Sequence, residues 1–387
     1  MGCPPANYIL DSVNIQSLWW KTMAWIERKY SKGQVDRAGE ALITLGKDSP
    51  ERENALTIVD NWRACHAYPL QVIKMTLRRR AMSINKHALI AQRLKRLPSI
   101  EIKLLQNENM KLSQVQDIGG CRAVLRNVSE VRRLVSVYKD FHAKSGAKSG
   151  KDDLRTRSFW DGSDDSNYID NPKPDGYRSI HLVFRFRSQS EEKKTFNGQR
   201  VEIQIRSKLQ HAWATAVETA QLFTGQALKA RIKDANENWL RFFALASAAF
   251  ARREKTAPVP GTPELLHDLL RELRTIEKHE QMFTSLLSWN NTIHYIEESK
   301  NTDAHTFLME LDPTKRTLQV SQFTKKGLME AQEQYKLKEK EVENDPQIQV
   351  VLVSVERVND LRKAYPNYFV DTKEFVKAVQ KELTALD

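Results

Sequence analysis

In residues 201–206, VEIQIR, a strand period of two places Val201, Ile203 and Ile205 on one face and Glu202, Gln204 and Arg206 on the other. Upstream, the strand-like run 179–185 gathers Ser179, His181, Val183 and Arg185 on one face in the same way. If the two segments pair, a carboxylate, an amide, a guanidinium and an imidazole share one cleft. A half-exposed sheet gives the same alternation, so the pattern alone does not define a site. A second carboxylate, Asp117, precedes the Gly119-Gly120 pair, where backbone can come close to a ligand. Asp117 and Glu202 on adjacent strands suit Mg²⁺, a hard cation that takes one or two carboxylates together with substrate phosphates. A third element, RLKRLPSIEIKL, sets Arg93, Lys95, Ser99 and Lys103 around a proline break. Such cations neutralise a triphosphate and the charge that grows during transfer, although surface lysines and arginines are common.

The elements that must position these groups follow from periodicity and punctuation. Residues 11–47 read as helical, with Trp19, Trp20, Met23 and Ile26 in a buried stripe. A second helix starts with Ser49 as N-cap and Pro50 in its first turn, and Pro69 is expected to kink or end it. Residues 70–97 read as a basic helix, residues 117–125 as a strand and residues 129–143 as a helix. Residues 144–176 have no periodicity and read as a long loop. Two strands follow, joined by a hairpin at Asn197-Gly198, then helices at about 207–224 and 227–254. The sequence KTAPVPGTP at 255–263 reads as a linker, followed by a helix over 263–298. The remainder alternates strand and helix: strands at 304–311 and in TLQVSQF, a helix over 325–342, the apolar strand IQVVLVSV and a last helix. IQVVLVSV is either internal to a sheet or an exposed edge. The fold class is therefore α+β, a mixed sheet flanked by helices, with N-terminal helices and a small C-terminal α+β domain. The expected boundaries are 1–69, 70–255, 256–300 and 301–387.

The 387 residues carry a net charge of +12, which favours a polyanionic partner. Between residues 61 and 103, ten lysines and arginines face one acid, Glu101. Cys3, Cys65 and Cys121 lack metal-ligand spacing and fit a reducing cytoplasm. The nine histidines form no zinc motif. The start, MGCPPANY, is not a secretory signal, and Ala6 argues against acylation. The longest apolar run, FFALASAAFA, is half a membrane span and reads as a core helix, so no membrane partner is expected. No Walker A, GxGxxG or kinase motif set is present.

Five ordered blocks resemble the synthetase domain of the RelA/SpoT family. They are R-x-K-x-x-x-S-I-x-x-K from Arg93, DIGGCR from Asp117, KPDGYRSIH from Lys173, VEIQIR from Val201 and HAWATAVE from His211. The resemblance implies transfer of the β,γ-pyrophosphate of ATP to a ribose 3′-hydroxyl. It assigns Arg93, Lys95, Ser99 and Lys103 to the ATP phosphates, Arg122 to the adenine, and Asp117 and Glu202 to Mg²⁺. It makes Glu202 the base, and Tyr177 the platform on which the acceptor base stacks. His181, Gln204, Arg206 and His211 line the acceptor side. His267-Asp268 is a lone pair after these blocks and reads as helix surface. The extensions, YSKGQVDRAGEAL, NWRACHAYPL and AYPNYFVDTKEF, are similar to the fused toxin–antitoxin branch called CapRel. That similarity implies a tRNA 3′ end as acceptor and a C-terminal domain that blocks the nucleotide site through Tyr365 and Tyr368. It also implies a phage protein that relieves the block, and a cytoplasmic protein without a DNA partner. The alternatives are an alarmone synthetase using GDP or GTP, and a catalytically inactive RNA-binding sensor.

Overall fold

A computed structural model describes residues 25–146, 158–160, 166–224, 237–292, 294–297, 304–324, 326–343, 345, 347–355 and 358–386. Trp19, Trp20 and Met23 lie outside these residues, as does the start of the helix expected from 227. Residues 25–31 form no regular element, with a bend at Tyr30, and Trp25 packs edge-on against Tyr68 at 5.4 Å. Helix α1 (Lys32–Thr44) starts at Ser31, whose hydroxyl accepts from the Gln34 amide while the Gln34 side chain accepts from Ser31 N. Helix α2 (Pro50–Cys65) is capped by Ser49 as its sequence predicts. Pro69 does not end that helix. It lies in the first turn of α3 (Ala67–Ile84), where its missing N–H costs nothing.

The expected basic helix over 70–97 is corrected by the structure. Asn85 ends α3, and its side chain accepts from His87 N at 2.8 Å to turn the chain. Residues Leu89–Leu94 then form strand β1, followed by α4 (Leu97–Leu105) with Pro98 in its first turn. Cross-strand pairing outweighs helix propensity in this segment. Next come β2 (Gly119–Leu125), α5 (Val128–Gly146), β3 (Ser158–Trp160), β4 (Ser166–Asn167), β5 (Ile180–Phe186) and β6 (Arg200–Ser207). Strands β5 and β6 pair antiparallel as expected, but residues 187–199, with a 3₁₀ turn over Glu191–Phe196, replace a tight hairpin.

Helices α6 (Lys208–Thr224) and α7 (Glu237–Arg253) lead to the 255–263 connection, where Val259 is buried. The single helix expected over 263–298 is also corrected. Gln281, at φ 53°, separates α8 (Leu266–Glu280) from α9 (Met282–Thr292), and β7 (His294–Glu297) follows. His267 and Asp268 are exposed on α8. The C-terminal part contributes β8 (Thr306–Asp312), β9 (Thr317–Phe323), α10 (Leu328–Glu341), β10 (Gln349–Ser354), α11 (Val358–Ala364) and α12 (Lys373–Leu383).

Among the described residues one mixed sheet of ten strands has the order β3-β5-β6-β2-β1-β10-β8-β9-β7, with β4 beside β5. Strand β10, the IQVVLVSV segment, is internal and lies antiparallel between β1 and β8. The fold class read from the sequence is thus the observed one. On one side α3 and α5 cover the central strands, and Leu77, Val131, Leu134 and Ile203 are fully buried there. The aromatic helix α7 packs with α6, α8, α9 and α12 in a second core, where Phe375 meets Phe242, Phe243 and Phe250.

A buried polar contact ties α10 to the N-terminal helices. Arg63 donates to Glu339 at 2.7 and 3.1 Å and to the Tyr335 hydroxyl at 2.8 Å, and Glu339 accepts from Leu97 N at 3.1 Å. The side chains of Arg63 and Glu339 are 5% and 8% exposed, so removing Glu339 takes the main partner from a buried charge and leaves it the longer contact to Asp60, 3.3 Å. Glu339→Ala is expected to lower unfolding stability by about 3–5 kcal/mol, read as a urea midpoint. The paired Arg63→Met, Glu339→Leu chain is expected to recover most of that loss.

Candidate active site

Ladder register decides which side chains meet. Rungs across the sheet align Arg93, Gly120, Glu202 and Val183 in one row and Ala91, Arg122, Gln204 and His181 in the next. Opposed residues share a face, so the polar faces expected of the 179–185 and 201–206 segments do line one cleft. Gly120 lies in the first row. A Cβ there would find only the Arg93 carbonyl, at 3.9 Å, so the glycine leaves the floor open rather than relieving a clash.

Asp117, just before β2, accepts from Lys95 Nζ at 2.6 Å and Lys103 Nζ at 2.8 Å. Burial pushes its carboxyl up, but the two ammonium groups hold it well below the usual carboxylate range. Burial depresses Lys95, with Asp117 opposing. Ser99 and Lys103 sit one turn apart on α4 and share its face. Arg93, Asp117, Gly120, Arg122, Glu202 and Gln204 line a cleft that Tyr365 also lines. Tyr365 donates to the Gln92 carbonyl at 2.5 Å, and it and Tyr368 are 3% and 1% exposed. The space left is about 20 Å³, room for about one water. Burial depresses Arg122 to about 10, with Arg206 adding repulsion.

The second half of the site centres on Tyr177. Its hydroxyl lies 2.6 Å from His181 Nε2 and accepts from Arg206 Nη2 at 2.8 Å. His181 Nδ1 donates to Glu202 Oε1 at 3.0 Å, and Gln204 Nε2 donates to Glu202 Oε2 at 2.7 Å. Burial disfavours every charge here. Arg206 and His181 nevertheless bring the Tyr177 phenol down to about 7, while Tyr177 and Glu202 lift His181 to about 9. Burial raises the Glu202 carboxyl, and His181 more than reverses this. The arrangement favours the charged imidazole of His181, held between the Tyr177 hydroxyl and the Glu202 carboxylate. Beside it, Lys173, Asp175, Tyr177, His181, Trp213 and Phe243 line a pocket with about 160 Å³ open.

His211, on α6, is set apart from that pocket. Its Nε2 donates to the Lys363 carbonyl at 3.2 Å, and burial beside Arg122 and Arg206 lowers it to about 3. Two aromatic neighbours of Tyr177 carried no role in the sequence motifs. Trp213 stands on α6 with its ring 6.3 Å from Tyr177, and Tyr168 lies edge-on to both Tyr177 and His181. Trp213 sits inside the HAWATAVE block, but only packing reveals its direction. Tyr168 had no local signal.

The donor set fits Mg²⁺. Two carboxylates, Asp117 and Glu202, border one cleft. This suits an ion that keeps water and phosphate ligands. Eight of the ten basic residues between 61 and 103 are buried or partly buried, leaving only Arg79 and Lys86 exposed.

Residues 92–224 match the family described as "Region found in RelA / SpoT proteins". Among curated relatives, the GTP pyrophosphokinase YwaC of Bacillus subtilis (strain 168) is 30% identical over 129 residues, which is 32% of this chain and 52% of YwaC. The chain thus spans about half the length of that relative. The small alarmone synthetase 2 from Bacillus subtilis aligns over 51% of this chain and 94% of its own, at 20% identity and a TM-score of 0.39. A GTP pyrophosphokinase family protein from Streptococcus pneumoniae aligns over 53% and 89%, at 20% identity and a TM-score of 0.37. Among the described residues no helix is long and apolar enough to cross a membrane.

The Tyr177 environment has a spectroscopic signature. As pH rises, one phenolate is expected to appear with a midpoint of about 7, against the ordinary value of 10.0. Ultraviolet difference absorbance between the unaltered chain and Tyr177→Phe isolates it. Arg206→Ala removes a cation that favours the phenolate, so the midpoint is expected to move upward.

Proposed function

We propose that this chain is an ATP-dependent pyrophosphotransferase whose acceptor is a ribose 3′-hydroxyl, and that its C-terminal part, about residues 301–387, restrains it. The observation that carries the reading is the shared cleft of Asp117, Glu202, Arg93 and Arg122, next to the pocket of Tyr177 and His181. Arg93, Lys95, Ser99 and Lys103 hold the ATP phosphates, and Arg122 lies on the adenine, where a guanidinium can stack. Mg²⁺, held by Asp117 and Glu202, would offset phosphate charge when bound. The acceptor base stacks on Tyr177, a contact worth roughly 1–3 kcal/mol. Gln204 and Arg206 stand beside that acceptor, whereas His211, expected there from the sequence, is turned to the Lys363 carbonyl. The 3′-oxygen attacks the β-phosphorus, the bond between the α and β phosphates breaks, and AMP leaves. Glu202 takes the hydroxyl proton, and the charged His181 beside it steadies the carboxylate before transfer.

The acceptor we propose is the 3′ end of tRNA, on the strength of the CapRel-like extensions and the net charge of +12. The exposed Arg79 and Lys86 are by themselves too few for an RNA track. A second reading, GDP or GTP as acceptor, is favoured by the similarity to YwaC, a GTP pyrophosphokinase. In either case Tyr365 occupies room that a bound ATP would need, and release by a phage protein acting on the C-terminal part is the regulation we propose.

The test uses ATP labelled at the γ-phosphate with bulk tRNA, GDP and GTP. Label on tRNA supports the first acceptor and label on a guanosine nucleotide the second. No label from any chain overturns the enzyme. Glu202→Ala is expected to cut transfer by about 10²–10⁴. Tyr365→Ala with Tyr368→Ala is expected to raise it about tenfold or more, the effect of a shift near 1.4 kcal/mol. Unchanged transfer in that double variant sinks the restraint.

A further inference from the structure

The residues on both sides of Tyr177 are held by α7, a contact that none of the sequence motifs describes. Gly176 has φ 93°, and a Cβ there would stand 2.9 Å from Ser247 Cβ, 3.1 Å from the Trp213 ring and 3.2 Å from Ala244 Cα. The turn therefore lies directly on α6 and α7. The Ser247 hydroxyl donates to the Gly176 carbonyl at 2.6 Å and accepts from Arg178 Nε at 3.1 Å. Arg178 Nη1 donates to Glu254 Oε2 at 2.8 Å and to Thr256 Oγ1 at 3.1 Å. Glu254 also accepts from the Ser207 hydroxyl through Oε1 and from Gln210 Nε2 at 3.2 Å through Oε2. The side chains of Arg178 and Glu254 are 1% and 5% exposed.

We infer that Arg178, Ser247 and Glu254 form a brace that positions Tyr177 for the acceptor, with Glu254 as its keystone; the kinetic consequence rests on the pyrophosphotransfer reading. Arg178 turns away from the cleft and Tyr177 turns into it, so neither Arg178 nor Glu254 meets the reacting atoms. Their effect passes through the backbone. Residues 176 and 178 are both fixed to α7, and the ring between them is left one direction, toward His181 and Arg206. Glu254 joins that turn to the β6–α6 junction at Ser207 and Gln210. The tyrosine platform and the Trp213 and Phe243 walls of the pocket thereby move as one body. Glu254 lies downstream of the matched residues 92–224, so the RelA/SpoT region would be completed by the end of α7. A buried ion pair that served only the core would predict general destabilisation and nothing local to Tyr177.

Three altered chains separate the cases: Ser247→Ala, which strands no charge, Glu254→Gln, and the apolar pair Arg178→Met with Glu254→Leu as a control on folding. Each is made in the chain carrying Tyr365→Ala and Tyr368→Ala, and hydrogen exchange is measured over residues 171–182 alongside KM for acceptor and for ATP. For Ser247→Ala and Glu254→Gln the brace predicts exchange about tenfold faster in that segment, with the β2 and β6 peptides unchanged. It predicts an acceptor KM raised about tenfold and an ATP KM within about twofold. The apolar pair is expected to fold and still show the raised acceptor KM. Equal rises in both KM values, or faster exchange throughout the sheet, would overturn the brace. If the parent transfers no label to any acceptor, the enzymatic reading fails by itself, and exchange decides the brace: local acceleration keeps it and unchanged exchange ends it.

Discussion

Strand β1 is hydrogen-bonded on both edges, and the organisation of the site depends on it. Buried backbone N–H and C=O groups must be paired, so a strand bearing Arg93 in the middle of a protein needs two neighbours. One is β2, which brings Arg122 and leads out of Asp117. The other is β10, from more than two hundred residues downstream, opposed at Gln92–Ser354 and Arg93–Val353. The pairing makes one sheet of β1–β6, most of which lie within residues 92–224, and the strands of the C-terminal part. It also delivers α11, and Tyr365 after it, to the rim of the cleft.

Charge compensation inside the cleft follows from that closure. Asp117 is shared by two lysines, Glu202 by His181 and Gln204, and the Tyr365 hydroxyl takes up the Gln92 carbonyl. Arg206 and Arg122 retain buried N–H groups without a protein acceptor. Such donors cost free energy where they stand, and an incoming anion would satisfy them. The cleft is thus balanced on its carboxylate side and under-satisfied on its guanidinium side, an electrostatic bias toward phosphate.

The Arg63–Glu339 contact applies the same logic at a distance. Glu339 accepts from the first residue of α4, the helix that carries Ser99 and Lys103. Helix α10 therefore touches α4 while α11 touches β1, and two separate segments of the C-terminal part bear on one cleft.

The sequence by itself determined what local period and local chemistry can specify. Glu202, Gln204 and Arg206 face His181 because side chains alternate along a strand, Ser49 starts a helix because its hydroxyl can reach a free amide, and the 242–251 run is core because it is apolar on every side. The order of five motifs pointed to the segment, residues 92–224, that matches the RelA/SpoT family description. Tertiary structure alone decided what depends on partners far along the chain. Residues 89–94 read as a continuation of a basic helix, and they are a strand because β2 and β10 flank them. The charge block of 61–103 is one run in the sequence, yet in the fold Arg63 is drawn to Glu339 and Lys95 and Lys103 to Asp117. Glu254 carried no motif, and its place behind Tyr177 comes from helix packing. Periodicity encodes which way a side chain faces, but the partner it meets is set by contacts between segments that no local pattern joins.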